Sequence, residues 1–90
     1  MDAIERQAKA FKALGDPTRL GIVKMLACCE RCVCEIMPRT GKSQPTTSAH
    51  LKVLHEAGIL KSRKEGQSVY YSIADGSVKE LVKAAERFKR

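Results

Sequence analysis

Cys28, Cys29, Cys32 and Cys34 fall within seven residues and are the only cysteines of the chain. Thiols this close can hold a soft metal or metalloid, close a reversible disulfide, or bury as small apolar side chains. A disulfide framework for a small secreted fold would space its cysteines along the chain, so the clustering points to a ligand or redox site. As(III), Sb(III), Cd(II) and Pb(II) are all thiophilic and are the ligand class to expect. Cys29-Glu-Arg-Cys32 is also a C-x-x-C pattern, which keeps a disulfide switch as the alternative. Cys32 and Cys34 would point about 200° apart on a regular helix, so binding one atom through both predicts that the first helical turn there must unwind. A helix N-terminus and Arg31 favour the thiolate form, while Glu30 and Glu35 oppose it.

A second group of residues carries charge. Lys and Arg number 17 against 10 Asp and Glu, a formal charge of +7 over 90 residues. From Arg39 to Lys64 there are six cations (Arg39, Lys42, Lys52, Lys61, Arg63, Lys64) and one acid, Glu56, so this stretch alone holds +5. Such a patch attracts polyanions, and nucleic-acid phosphates are the obvious partner. The four aromatics, Phe11, Tyr70, Tyr71 and Phe88, lie outside it, which disfavours base stacking on single strands and favours duplex DNA.

The elements that must position these groups are legible from punctuation and period. Residues 2–14 predict a helix with Ile4, Ala8, Phe11 and Leu14 along one stripe, ended by Gly15. Asp16 caps a second helix with Pro17 in its tolerated first position, running to about Ala27 and burying Leu20, Val23 and Leu26 or their neighbours. Cys32 to Met37 forms a short third segment closed by Pro38 and a turn at 40–42. Ser43 caps a fourth helix that runs to about Glu56 and stops at Gly58, with Thr47, Leu51 and Leu54 inward. Residues 59–64 and 68–74 then alternate as strands around a turn at 65–67, placing Arg63 and Lys64 at the hairpin tip. Residues 76–90 predict a last helix with Val78, Leu81, Val82, Ala85 and Phe88 on its stripe. The fold class is mainly α with one β-hairpin: a single winged helix-turn-helix spanning 1–90.

Length and composition exclude much else. Ninety residues cannot hold a TIM barrel, a Rossmann domain or most catalytic scaffolds. No apolar run approaches a membrane span, and the first residues have no apolar signal core, so a cytoplasmic domain without a membrane partner is expected. A thioredoxin-like thiol oxidoreductase, the enzymatic alternative, needs a βαβ scaffold that the pattern does not show, so no enzyme is expected. The apolar stripes of the first and last helices exceed what so small a core can cover, which predicts a symmetric homodimer through those helices, charged +14.

Leu14-Gly-Asp-Pro-Thr-Arg-Leu-Gly-Ile-Val, Ser48-Ala-His-Leu-Lys-Val-Leu-His-Glu-Ala-Gly-Ile-Leu and Glu65-Gly-Gln-Ser-Val-Tyr-Tyr-Ser-Ile resemble the ArsR/SmtB metalloregulatory repressors, in unbroken order over roughly residues 10–75. Arg31-Cys-Val-Cys-Glu-Ile looks like the Cys-Val-Cys box of the arsenic and cadmium branches. The resemblance implies a dimeric repressor on an imperfectly palindromic double-stranded operator, requiring no cofactor and released by a bound metal or metalloid. It implies three sulfurs around arsenite: Cys32 and Cys34, with Cys29 or Cys28 as the third, because Met37 stands where arsenic sensors often carry a cysteine. Of the zinc branch's terminal-helix ligands Asp75 survives, but Ser77 stands in place of a His and no His follows His55, and residues 1–27 offer no N-terminal cysteine. For DNA the expected contacts are Gln44, Thr46, Ser48, His50 and Lys52 in the groove, Ser48 entering on the resemblance. Arg63, Lys64 and Gln67 would reach backbone or minor groove from the wing. His50 could instead bridge helix to hairpin, and His55 reads as a surface residue.

Overall fold

The structure, a computed structural model, describes residues 1–89. Helices α1 (Ala3–Leu14) and α2 (Pro17–Met25) lead into strand β1 (Arg31–Cys32), α3 (Val33–Thr40) and α4 (Gln44–Glu56). Strands β2 (Leu60–Glu65) and β3 (Ser68–Ile73) follow, and α5 (Gly76–Ala85) closes the chain. The winged helix-turn-helix is therefore the observed architecture, with α3 and α4 as the helix-turn-helix and β2–β3 as the wing.

Local chemistry accounts for each boundary. The Asp16 carboxylate accepts the Arg19 amide at 3.0 Å and the Ser43 hydroxyl accepts the Thr46 amide at 3.3 Å, so α2 and α4 start where the sequence places them. Between α3 and α4 the chain reverses at Gly41, whose φ of 70° favours glycine. The wing turns on Gly66-Gln67. Gly66 has φ 60° and Gln67, like every non-glycine residue described, does not, which is the II′ pattern with glycine first.

One core holds these parts. Ile22 and Val23 from α2, its C-cap residue Leu26, Ile36 from α3, Leu51 and Leu54 from α4, Leu60 and Ile73 from the wing and Val78 from α5 are buried together. Each such side chain contributes about 1.5–3 kcal/mol of transfer free energy. Thr47 is wholly buried among them. Its hydroxyl meets Thr40 Oγ1 at 3.1 Å, and Thr40 in turn donates to the Met37 carbonyl at 2.8 Å, joining the end of α3 to α4.

Three expectations change. The sheet has a third strand: β1 pairs antiparallel with β3, giving the order β1-β3-β2. Two residues whose only partner lies far along the chain leave no local signal. Helix α3 runs through Pro38 to Thr40, although a proline there removes the backbone donor to the Cys34 carbonyl and crowds that oxygen. Helix α2 ends at Met25 and α5 at Ala85, short of the expected 27 and 90, Arg90 lying outside the described residues. On α1 the stripe from Ile4 to Phe11 faces outward, in line with the expectation that the core leaves it uncovered, and Ala13 is the buried residue.

Candidate DNA interface and cysteine site

Helix α4 divides its expected contact residues by rotation. With Thr47, Leu51 and Leu54 on the core side, Lys52 lies on the opposite, open face. Gln44 and Ser48, one turn apart, flank the wing side; Thr46 and His50 flank the α2 side. Gln44, Thr46, Ser48 and Lys52 are exposed and His50 is half-buried. The Ser43 hydroxyl donates to Thr46 Oγ1 at 3.0 Å, so Thr46 is tied into the helix start. His50 Nδ1 lies 3.2 Å from Arg19 Nη1. Arg19 Nε also donates to the Ala13 carbonyl at 2.7 Å, so this arginine bolts α4 to α2 and to the end of α1. His50 thus bridges to α2, not to the hairpin. Arg19's amide and then its charge hold the Asp16 carboxyl below its ordinary range.

On the wing, Lys64 and Gln67 are exposed near the turn, whereas Arg63 is a mid-strand residue paired with Tyr70. Its guanidinium is engaged on every side. Nε and Nη2 donate to both oxygens of Glu30 at 2.8 and 2.7 Å, Nη1 donates to Glu65 at 2.8 Å, and the plane lies 4.6 Å from the Tyr70 ring centroid. Glu30, then Glu65, raise the Arg63 pKa further, and Arg63 lowers that of Glu30.

The cysteines form two pairs. Cys32 and Cys34 are joined as a disulfide, Cys32 buried and Cys34 exposed. No unwinding of α3 is needed to bring them together, a correction to the helical expectation: Cys32 is the extended N-cap residue (φ −80°, ψ 160°), and the helix begins only at Val33. Cys28 and Cys29 are free and exposed, their sulfurs 3.1 Å apart, with Arg31 Nη2 3.8 Å from Cys28. The hydrogen bond shared with Cys29, then Arg31, lowers the Cys28 pKa, and the same sharing raises that of Cys29, so the two thiols titrate as a pair. Among the described residues no three His, Cys, Asp or Glu side chains surround one ion position. Cys32 and Cys34 open into a groove of about 440 Å³ that is shared by Gln44 and Ser48 of α4 and Gln67 of the wing.

Residues 16–62 match the family described as bacterial regulatory protein, arsR family. The chain belongs to the ArsR family. It is 49% identical over 87 residues to the HTH-type transcriptional regulator MJ1325 of Methanocaldococcus jannaschii, covering 96% of this chain and 98% of that one. It is 48% identical over 79 residues to a homolog of the cadmium resistance regulatory protein CadC from Staphylococcus aureus (87% of this chain, 65% of the relative). To the arsenical resistance operon repressor of Escherichia coli it is 46% identical over 65 residues, 71% of this chain and 56% of the relative. The chain thus spans under two thirds of those last two. Among solved structures, the homodimeric winged helix-turn-helix DNA-binding domain Mb0332 of Mycobacterium bovis superposes with a TM-score of 0.86 at 36% identity, covering 92% of this chain and 77% of that one.

This ArsR-family chain is therefore a transcriptional regulator of winged helix-turn-helix fold and not an enzyme. Sequence reasoning did not foresee the contacts that Arg19, Glu30 and Tyr70 make with His50 and Arg63. Arg19 had a signal in the Asp16-Pro-Thr-Arg run. Glu30 had none, since its partner is 33 residues away.

Proposed function

We propose that the chain is a homodimeric repressor that binds a double-stranded operator and releases it when a thiophilic ion, As(III) before Cd(II), Sb(III) or Pb(II), is held by Cys32 and Cys34. The observation that carries this reading is the shared groove: the Cys32–Cys34 pair opens beside Gln44, Ser48 and Gln67, so a change at the sulfurs acts next to the expected DNA readers. As(III) leads because the sulfurs are compact and no histidine accompanies them, and the arsenical and cadmium repressors among the relatives agree with a soft ligand.

The reduced pair supplies two sulfurs. A third must come from Cys29 or Cys28, which requires the 28–31 segment to shift, and a ligand that demands such a shift favours one state of the protein over the other. Gln44, Thr46, Ser48 and Lys52 would meet the major groove, with Lys64 and Gln67 on the backbone; His50 would act there through its hold on Arg19. Dimerisation follows from an unpaired apolar surface. Ile4 and Phe11 on α1, Leu81 on α5 and Phe88 beyond it are exposed, and an apolar cleft of about 270 Å³ lies between the two terminal helices. Such a repressor works in the cytoplasm, beside its operator.

Anisotropy of reduced protein on its own promoter DNA, titrated with arsenite and then a dithiol chelator, tests the reading. Release reversed by the chelator supports it; tight binding indifferent to arsenite removes As(III) as the ligand, keeps the DNA-binding reading and turns the question to another soft metal or a disulfide switch. The Cys32–Cys34 disulfide favours a second reading, a redox-sensing repressor in which two electrons and two protons open that bond. Release that follows diamide and is reversed by dithiothreitol, without arsenite, selects it.

A further inference from the structure

The two groups singled out from the sequence, the cysteines and the basic wing, are joined by a contact that neither predicts. Glu30 follows Cys29 directly and precedes β1, and both of its carboxylate oxygens are taken by Arg63 of β2. The same place is linked through the sheet. Cys32 of β1 is registered to Tyr70 of β3, and Tyr70 to Arg63 of β2, so the three form one row across three strands. Arg63 closes that row by lying over the Tyr70 ring. Cysteine segment and wing are thus held together twice, once by backbone pairing through β3 and once by the Glu30–Arg63 fork.

We propose that Glu30 is a positioning residue that carries the state of the cysteine segment to the wing through its two-pronged ion pair with Arg63. This rests on the functional reading above as far as ligand response is concerned. Drawing Cys29 or Cys28 toward Cys32 and Cys34 moves the adjoining residue, Glu30, and the fork passes that movement to β2. Arg63 then changes its place relative to Lys61 and Lys64, the other cations of the strand. Glu65, which holds Arg63 from its own strand, stays with the wing and keeps the guanidinium from swinging free. The fork matters more for geometry than for energy. Glu30 and Arg63 side chains are 34% and 50% exposed, and an exposed pair of this kind changes an equilibrium by at most about fivefold. A coupling between sites is ordinarily roughly 5–150-fold, so the fork supplies a share of it and the backbone row the rest.

The test has a part that needs no ligand. Hydrogen exchange of the Arg31 and Cys32 amides of β1 is measured in reduced wild type, Glu30→Gln, Arg63→Gln and the double variant. The fork predicts exchange about threefold to fivefold faster in either single variant, and no further rise in the double, because both remove one interaction. Unchanged exchange, or additive effects, overturns the link. The second part compares arsenite-driven loss of DNA affinity in the same proteins by anisotropy. Glu30→Gln keeps DNA binding but loses about threefold to fivefold of the response; a wild-type response in Glu30→Gln overturns the transmission. If wild-type protein ignores arsenite, the As(III) reading fails, and the exchange data still decide whether the wing and the cysteine segment are linked.

Discussion

The recognition helix and the cysteine segment differ in how they are held. Helix α4 is anchored from beneath by Thr47, Leu51 and Leu54, all fully buried, and from its side by Arg19 through His50. The segment from Cys28 to Cys34 has one well-buried residue, Cys32, and is otherwise held by a two-residue strand and by ion pairs near water. A rigid reader beside a lightly held sensor is the arrangement in which a small ligand can shift a DNA interface without unfolding it, since lightly held segments are the ones that move.

Leu51→Ala breaks this contrast most directly. It removes a side chain with no exposure from below the reader and should cost about 2–5 kcal/mol, much of the stability of so small a domain. Urea unfolding with circular dichroism checks it. Cys28→Ser with Cys29→Ser, on exposed positions, should stay within about 0.5 kcal/mol of wild type in the same experiment. Equal losses in the two proteins would show that the sensor is as firmly held as the reader.

Next in size is the response itself. In Cys34→Ser, where the altered residue is exposed, DNA affinity without ligand should match wild type, while the effect of arsenite, ordinarily roughly 5–150-fold for coupled sites, falls to about none. Titration of labelled operator DNA with the reduced variant checks it. A full response there would take Cys34 out of the site.

The contrast also marks what the sequence made legible. Asp16, Pro17 and Ser43 announce their helices because capping is local, and Thr47, Leu51 and Leu54 keep a helical period that locates the face of α4. The cysteine segment was found by residue type, but its geometry was not. Whether Cys32 is helical depends on its pairing with Tyr70, 38 positions on, and a helical projection drawn from the neighbours alone sends its sulfur the wrong way. Arg63 shows the same limit. Its charge was plain, yet its position in mid-strand and its capture by Glu30 follow from long-range pairing, so it is a weaker candidate for free phosphate contact than Lys64.

Thr47→Val is a finer probe of the reader. It keeps the shape of a buried side chain and removes the hydroxyl that reaches Thr40, loosening the junction of α3 and α4. The Thr40 hydroxyl still donates to Met37 and still accepts the Lys42 amide, so the loss should be about 1 kcal/mol, with a parallel fall in DNA affinity. A stability loss without any change in DNA binding would separate the junction from the reader's placement.

The smallest effect is in the pH dependence, and it samples both regions. Asp16, Glu30 and Asp75 all have carboxyl pKa values lowered in the folded chain: Asp16 by the Arg19 amide, Glu30 by Arg63 and Asp75 by the Ser77 amide. A group whose folded pKa is depressed adds stability that is fully present above its unfolded value, about 4, and is lost as pH falls through the folded value. The melting temperature should therefore be flat from about pH 7 to 5 and decline below about 4. Asparagine caps a helix about as well as aspartate, so Asp16→Asn with Asp75→Asn should leave stability at neutral pH nearly unchanged and flatten the acid decline. Glu30→Gln should leave most of that decline in place, because its fork secures a lightly held strand and not the core. If instead Glu30→Gln flattens the acid decline as much as the two caps do, the cysteine segment contributes to global stability on the same footing as the helix starts, and its light attachment is wrong.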